Sequence, residues 1–350
     1  MKKVLYVSIV SEQVSGGTSC MKRNLELLRN VPNINVHTCE VKMQSKVQAM
    51  FSALTGGNLI LSSKDEKRII KMIKENGYDC VFQEGTTSGH LAKSIAKLGV
   101  RLIVFAHNVE TNLYRERVKS YRYNIFEYLK YFTVKRNEKK SVINASTLIS
   151  LTQRDADYFR SLFDRGADVV IPISSPSVKI DVGDQTNEEY GLFVGSNFFP
   201  NNEGISWFIK NVVPYINIKI KVVGSCCQTI STIPIDVVDK VDVLGLVDDL
   251  NYVYRNASFV VVPLFKGSGM KTKTIEAMSY GKTIFGTDEC FQGIQCNYEM
   301  IGGLCNTAQA FVDAINQKDF SKKVNEYTVE LFEKKFSNSS VQEKFNSLFK

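Results

Sequence analysis

Val260-Val261-Val262-Pro263-Leu264-Phe265-Lys266-Gly267-Ser268-Gly269-Met270-Lys271-Thr272-Lys273-Thr274-Ile275-Glu276-Ala277-Met278-Ser279-Tyr280-Gly281 reads as a buried strand, a glycine loop and a helix closed by Gly281. Glycines let backbone approach a ligand closely, and the helix that follows offers unpaired amides and a partial positive charge, which suits a diphosphate. Lys271 at the helix start adds a full charge. Glu276, about one turn inside, can accept hydrogen bonds from two vicinal hydroxyls such as those of a ribose. By pattern alone, a tight turn followed by a solvated glutamate fits the same residues.

Working outward, apolar runs of strand length at 3–10, 79–83, 101–106, 147–151, 191–195, 218–224, 258–263 and 282–287 alternate with helical patterns. That alternation predicts an α/β chain of parallel strands. It lapses between 171 and 190, around Pro172, Pro176 and a polar stretch at 183–189, and a fresh strand opens at Leu192-Phe193-Val194-Gly195. The division expected is two doubly wound, Rossmann-like domains, 1–172 and 190–335, joined by a linker at 173–189. A ligand would sit in the cleft the two domains face, at the carboxyl ends of both sets of strands.

The length of 350 residues, 44% of them hydrophobic, supplies enough apolar surface for two cores. The apolar run after Lys2 and Lys3 stops at Ser11-Glu12-Gln13 with no small-residue cleavage site, so it reads as a buried first strand. No stretch reaches the roughly 18 apolar residues of a membrane helix, and a cytoplasmic protein is expected. Eight cysteines without a C-x-x-C pair suggest reduced thiols, neither a zinc site nor a disulfide framework. The formal charge is +8. Much of it sits in 113–141, where nine Lys or Arg face three Glu, a net of 9 − 3 = +6.

A second glycine signal, Ser15-Gly16-Gly17-Thr18, leads into an amphipathic helix at 21–28 and could bring amides to a phosphate or sugar. It lacks the G-x-G-x-x-G spacing of dinucleotide folds, which counts against a nicotinamide enzyme. His107 directly follows the strand at 101–106, where α/β ligand sites form, and could orient a sugar hydroxyl or assist proton movement; a structural histidine fits as well. His37 and His90 are assigned nothing. The stretch 113–141 interleaves its cations with Tyr114, Tyr121, Tyr123, Phe126, Tyr128, Tyr131 and Phe132, which suits docking to an anionic membrane. A core-facing aromatic stripe with a solvated basic face fits equally, and no nucleic-acid partner is expected. Asp155-Ala156-Asp157 has D-x-D spacing but falls in a helical stretch, and reads as a surface pair rather than a metal site.

These residues resemble the GT-B glycosyltransferases of the group-one family, also called family four. The resemblance covers about 188–294: Tyr190 to Ile205 looks like the family's opening of the second domain, Val243 to Leu250 like its loop beside the nucleotide base, and Lys266 to Glu276 like its donor loop. Over the first domain it rests on Gly16-Gly17, His107-Asn108 and Ser150-Leu151-Thr152. The resemblance implies a GT-B fold and retaining transfer from a nucleotide-diphosphate sugar to a glycan or lipid-linked acceptor, in cell-surface polysaccharide synthesis at the inner face of the plasma membrane, with no metal and no cofactor. His107, Lys271 and Glu276 would be catalytic. The donor would lie on Gly16, Gly17, Ser196, Asn197, Val247, Lys266, Gly267, Ser268, Gly269, Met270 and Thr272. Glu276 matches the second glutamate of the family's E-x7-E motif, and Ser268 stands where the first belongs. The resemblance also implies that a helix at 336–350 crosses back to the first domain. Two other readings stay open: a sugar-nucleotide epimerase of the same fold, for which no carboxylate pair stands out, and a silent carbohydrate-binding or partner subunit, which the missing glutamate would suit.

Overall fold

The computed structural model describes residues 1–10, 16–120, 124–179, 188–230 and 233–350. Its strands are β1 (Lys2–Val10), β2 (Ile34–Lys42), β3 (Cys80–Glu84), β4 (Arg101–Phe105), β5 (Thr147–Ser150), β6 (Val169–Val170), β7 (Tyr190–Val194), β8 (Lys219–Val223), β9 (Val241–Gly245), β10 (Phe259–Val262), β11 (Thr283–Gly286) and β12 (Gly302–Leu304). They form two six-stranded sheets, in the orders β2-β1-β3-β4-β5-β6 and β12-β11-β10-β7-β8-β9. Every described pairing is parallel. Parallel sheets need helical crossovers that cover both faces, so β3 and β10 are buried at every position.

The apolar runs anticipate β1, β3, β4, β5, β7, β8, β10 and β11. The four strands they miss, β2, β6, β9 and β12, are the four sheet edges. One of them corrects the reading directly: Val243, Leu244 and Gly245, expected in a loop, lie in β9, where Val243 and Leu244 are exposed.

Contacts divide the chain into two compact units, Met1–Pro172 with Ser268–Met270 and Gln342–Lys350, and Ile173–Gly267 with Lys271–Val341. In the first, Leu5, Val81, Leu102, Val104 and Leu148 pack against Ile69, Leu91, Ile95 and Phe159. The C-terminal residues close its other face. Phe345, fully buried, stacks on Phe82 and Phe105 with ring centres 6.3 Å apart in each case. Gln342 Nε2 donates to the Leu27 carbonyl at 3.0 Å and Lys2 Nζ to the Phe349 carbonyl at 2.8 Å. In the second unit, Phe193, Ile220, Val222, Phe259 and Phe285 pack against Ile205, Phe208, Phe311 and Ile315.

Two local expectations are corrected. Gly16 and Gly17 are not a loop before a helix at 21–28 but the first residues of the helix Gly16–Arg29; Ser15 lies outside the described residues. Asp155 is not at the surface. It is buried and accepts from the Thr152 hydroxyl at 2.8 Å while that hydroxyl caps the helix Gln153–Phe163, and only Asp157 is exposed. A short acid in the first turn satisfies the helix start, and its spacing to Asp157 carries no further meaning. Within 113–141, Tyr121 and Tyr123 also lie outside the described residues, as does 180–187 of the expected linker.

Candidate active site

In the second sheet the strand order reverses between β7 and β10, and in doubly wound sheets ligands bind beyond the carboxyl ends of the strands at such a point. Ser196 and Asn197 follow β7; the glycine loop follows β10. The Asn197 amide donates to Ser225 Oγ at 2.8 Å and the Gly224 amide to the Gly245 carbonyl at 2.6 Å, which ties the loops after β7, β8 and β9 together. Val247, two residues beyond β9, is half-buried. Asn201 holds the Ser196 carbonyl through Nδ2 at 2.9 Å, and its Oδ1 accepts from Lys273 Nζ at 2.7 Å.

The helix Thr272–Ser279 starts with Lys271 at its cap position and no side chain caps it. An uncapped first turn directs its amides at whatever stands before it. Gly269 has φ +64°, in the left-handed region that favours glycine, and a Cβ there would also meet the His107 carbonyl and Asn108 Oδ1. Lys271 Nζ lies 2.6 Å from Glu289 Oε1, and both side chains are nearly buried. The pair borders Gly267, where a Cβ would sit 3.0 Å from Glu289 Oε1 and 3.1 Å from Lys271 Nζ. Lys266 is half-buried and pairs with Glu203 at 3.0 Å. Sequence reasoning saw neither partner, because Glu203 and Glu289 belong to other elements far along the chain.

Glu276 accepts from Tyr254 Oη at 3.3 Å, and Tyr254 in turn stacks on Tyr280 with ring centres 4.9 Å apart and planes 5° from parallel. Burial raises the Glu276 carboxyl above the ordinary range, against the opposing effect of the tyrosine hydrogen bond. Burial likewise brings Lys273 down to about 8, with its Nζ 4.3 Å from the centre of the Phe193 ring. Tyr254 and Lys273 were both missed. Lys273, at least, was legible as a second cation in the first helical turn.

The first unit has its own reversal, between β1 and β3. Glu84 ends β3, buried, with Oε1 accepting from Tyr6 Oη and Asn24 Nδ2, both at 2.9 Å. Its Oε2 meets His107 Nε2 at 2.5 Å. A carboxylate so held fixes the imidazole's orientation and places a proton on Nε2, which leaves Nδ1 as the other functional edge. Asn24 lies on the helix that Gly16 and Gly17 begin. Ser268 Oγ accepts from the Val109 amide at 3.0 Å. The structure thus gathers Ser196, Asn197, Lys271, Thr272 and Glu276 at the ends of the second sheet, and His107, Ser268 and Gly269 at the ends of the first. Among the described residues no group of three His, Cys, Asp or Glu could hold a metal ion.

Residues 188–318 match the family described as "Glycosyl transferases group 1". That stretch is similar to a group 1 glycosyltransferase domain. The matched stretch contains β7 to β12, Lys266 to Glu276 of the glycine loop and its helix, and the Tyr254 and Glu289 that hold charged groups there. Over the whole chain the fold is GT-B: sucrose-phosphate synthase from Thermosynechococcus elongatus superposes with a TM-score of 0.76 at 16% identity, covering 100% of this chain and 98% of that one. The lipopolysaccharide outer core galactosyltransferase WaaB in its apo form gives 0.64 at 14% identity over 100% and 99%. Anabaena Alr3699/HepE in complex with UDP gives 0.66 at 12% over 100% and 99%. An uncharacterized 44.6 kDa protein in the cps region of Klebsiella pneumoniae is 24% identical over 257 residues, 69% of this chain. The match spans 64% of that relative's length.

Proposed function

We propose that this chain transfers a sugar, with retention and without a metal ion, from a nucleotide-diphosphate sugar to a glycan or lipid-linked acceptor during cell-surface polysaccharide synthesis. The observation that carries the reading is the uncapped helix Thr272–Ser279 with Lys271 at its start and Glu276 one turn in, at the sheet's reversal point. Lys271 and the helix amides stabilise negative charge growing on the diphosphate as the glycosidic bond stretches, which is where preorganised electrostatics act most strongly. Glu276 accepts from the ribose hydroxyls. His107, fixed by Glu84, orients the donor sugar at its reacting end. Ser196, Asn197, Val247, Lys266, Gly267, Ser268, Gly269, Met270 and Thr272 line the donor, with Gly16 and Gly17 acting through their helix. HepE, a neighbour in fold, has been solved with UDP and with UDP-glucose, and the Klebsiella relative is described by its place in a cps region, which favours a nucleotide sugar and a capsule-type acceptor.

The stretch 113–141 holds the enzyme at the inner face of the plasma membrane, where a lipid-linked acceptor lies. Its described part forms the helices Glu110–Ser120 and Ile125–Asn144, and no described helix is long and apolar enough to cross a membrane.

A thermal-shift screen against UDP, GDP, CMP and their sugars tests the donor site. A ligand at about 100 times its Kd adds roughly 2.7 kcal/mol to stability. A shift specific to one base, lost in Lys271→Ala and Glu276→Ala, supports transfer. No shift with any nucleotide favours a silent subunit instead.

A further inference from the structure

The helix Lys46–Thr55 is turned inside out for a surface helix. Val47, Met50, Phe51 and Leu54, at i, i+3, i+4 and i+7, share one face, and that face points away from the core with Val47 74%, Phe51 68% and Leu54 65% exposed. Exposed apolar side chains are ordinary one at a time; a helical stripe of four is an interaction surface. The helix carries no acidic residue.

Its neighbour continues the surface. Arg136 donates to the Gly56 carbonyl at the end of the helix, and Asn137 Nδ2 donates to the Gly57 carbonyl at 3.1 Å, so Lys46–Thr55 is fastened against Ile125–Asn144. On that second helix Ile125, Tyr128 and Phe132 are exposed, and further along the same face come Arg136 and Lys139. Its only acids, Glu127 and Glu138, are buried, Glu127 in pairs with Arg117 and Lys130. The outward face is therefore apolar over part of its length and cationic over the rest.

We infer that Lys46–Thr55, with Ile125, Tyr128 and Phe132 beside it, is the element that inserts into an anionic lipid surface. This rests on the membrane contact proposed for 113–141 and adds to it the apolar part that charge alone would not supply. Phe51 and Leu54 enter the acyl boundary while Arg136 and Lys139 meet lipid phosphates, the geometry of an interfacial helix. A second copy of this chain is the poorer occupant, because an isologous contact would bring the same cations face to face.

The test is flotation of the full chain with vesicles of phosphatidylcholine and phosphatidylglycerol, about seven to three, and with phosphatidylcholine alone. Wild type binds the anionic vesicles. Phe51→Ser with Leu54→Ser weakens that binding on the order of 100-fold, since each side chain loses more than a factor of ten of apolar transfer. Lys139→Glu with Lys135→Glu, the lysine one turn before it on the same helix, weakens binding to anionic vesicles only. The inference is overturned if wild type stays unbound, if the Phe51→Ser, Leu54→Ser protein floats as wild type does, or if light scattering shows a dimer which those substitutions separate. Both variants keep the thermal shift of wild type with UDP, so lost flotation is not lost fold. Vesicle binding without any nucleotide shift would uphold the docking surface and sink the transferase reading alone.

Discussion

Lys271 Nζ and Glu289 Oε1 stand 2.6 Å apart against the glycine loop, so the cation assigned to the diphosphate already has an anionic partner. A diphosphate that reaches Lys271 also approaches the Glu289 carboxylate. Glu289→Gln removes that repulsion and should tighten UDP by about threefold to tenfold, roughly 1 kcal/mol. Lys271→Ala should weaken UDP at least about tenfold and cost about 2 kcal/mol of stability, because a nearly buried carboxylate loses a charge-assisted hydrogen bond. Calorimetric titration and denaturant unfolding of the two variants read both effects; weaker UDP binding in Glu289→Gln would show that the carboxylate helps to position the lysine.

Glu276 and Tyr254 give a sharper test of the ribose contact. Wild type should bind UDP better than 2′-deoxy-UDP by about tenfold, and Glu276→Ala should bind the two alike. Tyr254→Phe keeps the ring stack on Tyr280 and removes only the hydroxyl that orients the carboxylate. It should lose a few-fold in UDP affinity with little loss of stability. Full 2′-deoxy discrimination in Glu276→Ala would remove the ribose role.

His107→Ala should lower kcat by about 100-fold or more while leaving UDP affinity unchanged, as suits a group acting on the sugar rather than the nucleotide. Glu84→Gln is different in kind. Its carboxylate accepts from Tyr6, Asn24 and His107, and an amide nitrogen in its place must face one of those donors. A loss of about 2 kcal/mol in unfolding free energy is expected together with the loss of activity.

Much of this organisation is visible in the residues, and the omissions share a cause. Central parallel strands such as Phe259–Val262 are covered on both faces and announce themselves as unbroken apolar runs. An edge strand has fewer neighbours, so Ile34–Lys42 alternates buried and exposed positions and Gly302–Leu304 has no fully buried residue. Their sequences carry little to read. The same holds for the site. Lys271, Glu276 and His107 stood out because they follow strands or begin a helix, whereas Glu289, Tyr254 and Glu84 matter through contacts with residues 18, 22 and 23 positions away. Spacing within a helix or strand is legible in a chain; proximity made by the fold is not.

Glu138 sets a pH dependence. It is buried, accepts from Thr86 Oγ1 and from the Glu110 and Thr111 amides, and burial pushes its carboxyl from 4.5 up to about 7 despite those donors. Between about pH 4.5 and 7 the folded chain holds a proton that the unfolded chain has released. Stability is therefore greatest below that window and falls as pH rises through it, by up to about 3 kcal/mol. Urea unfolding at pH 5 and 7.5 should show the decline in wild type and little of it in Glu138→Gln.

Phe345 lies between these elements and the order in which a ribosome makes them. Its ring completes the layer over Phe82 and Phe105, so the first unit lacks a core residue until Phe345 has been synthesised, well after Pro172. At about 5–20 residues per second, roughly 10 to 35 seconds pass between the emergence of Pro172 and that of Phe349. The face awaiting Phe345 stays uncovered until the end of that interval, while the second unit, which ends at Val341, has all its own residues before Phe345 emerges. The unit begun before the other is completed after it.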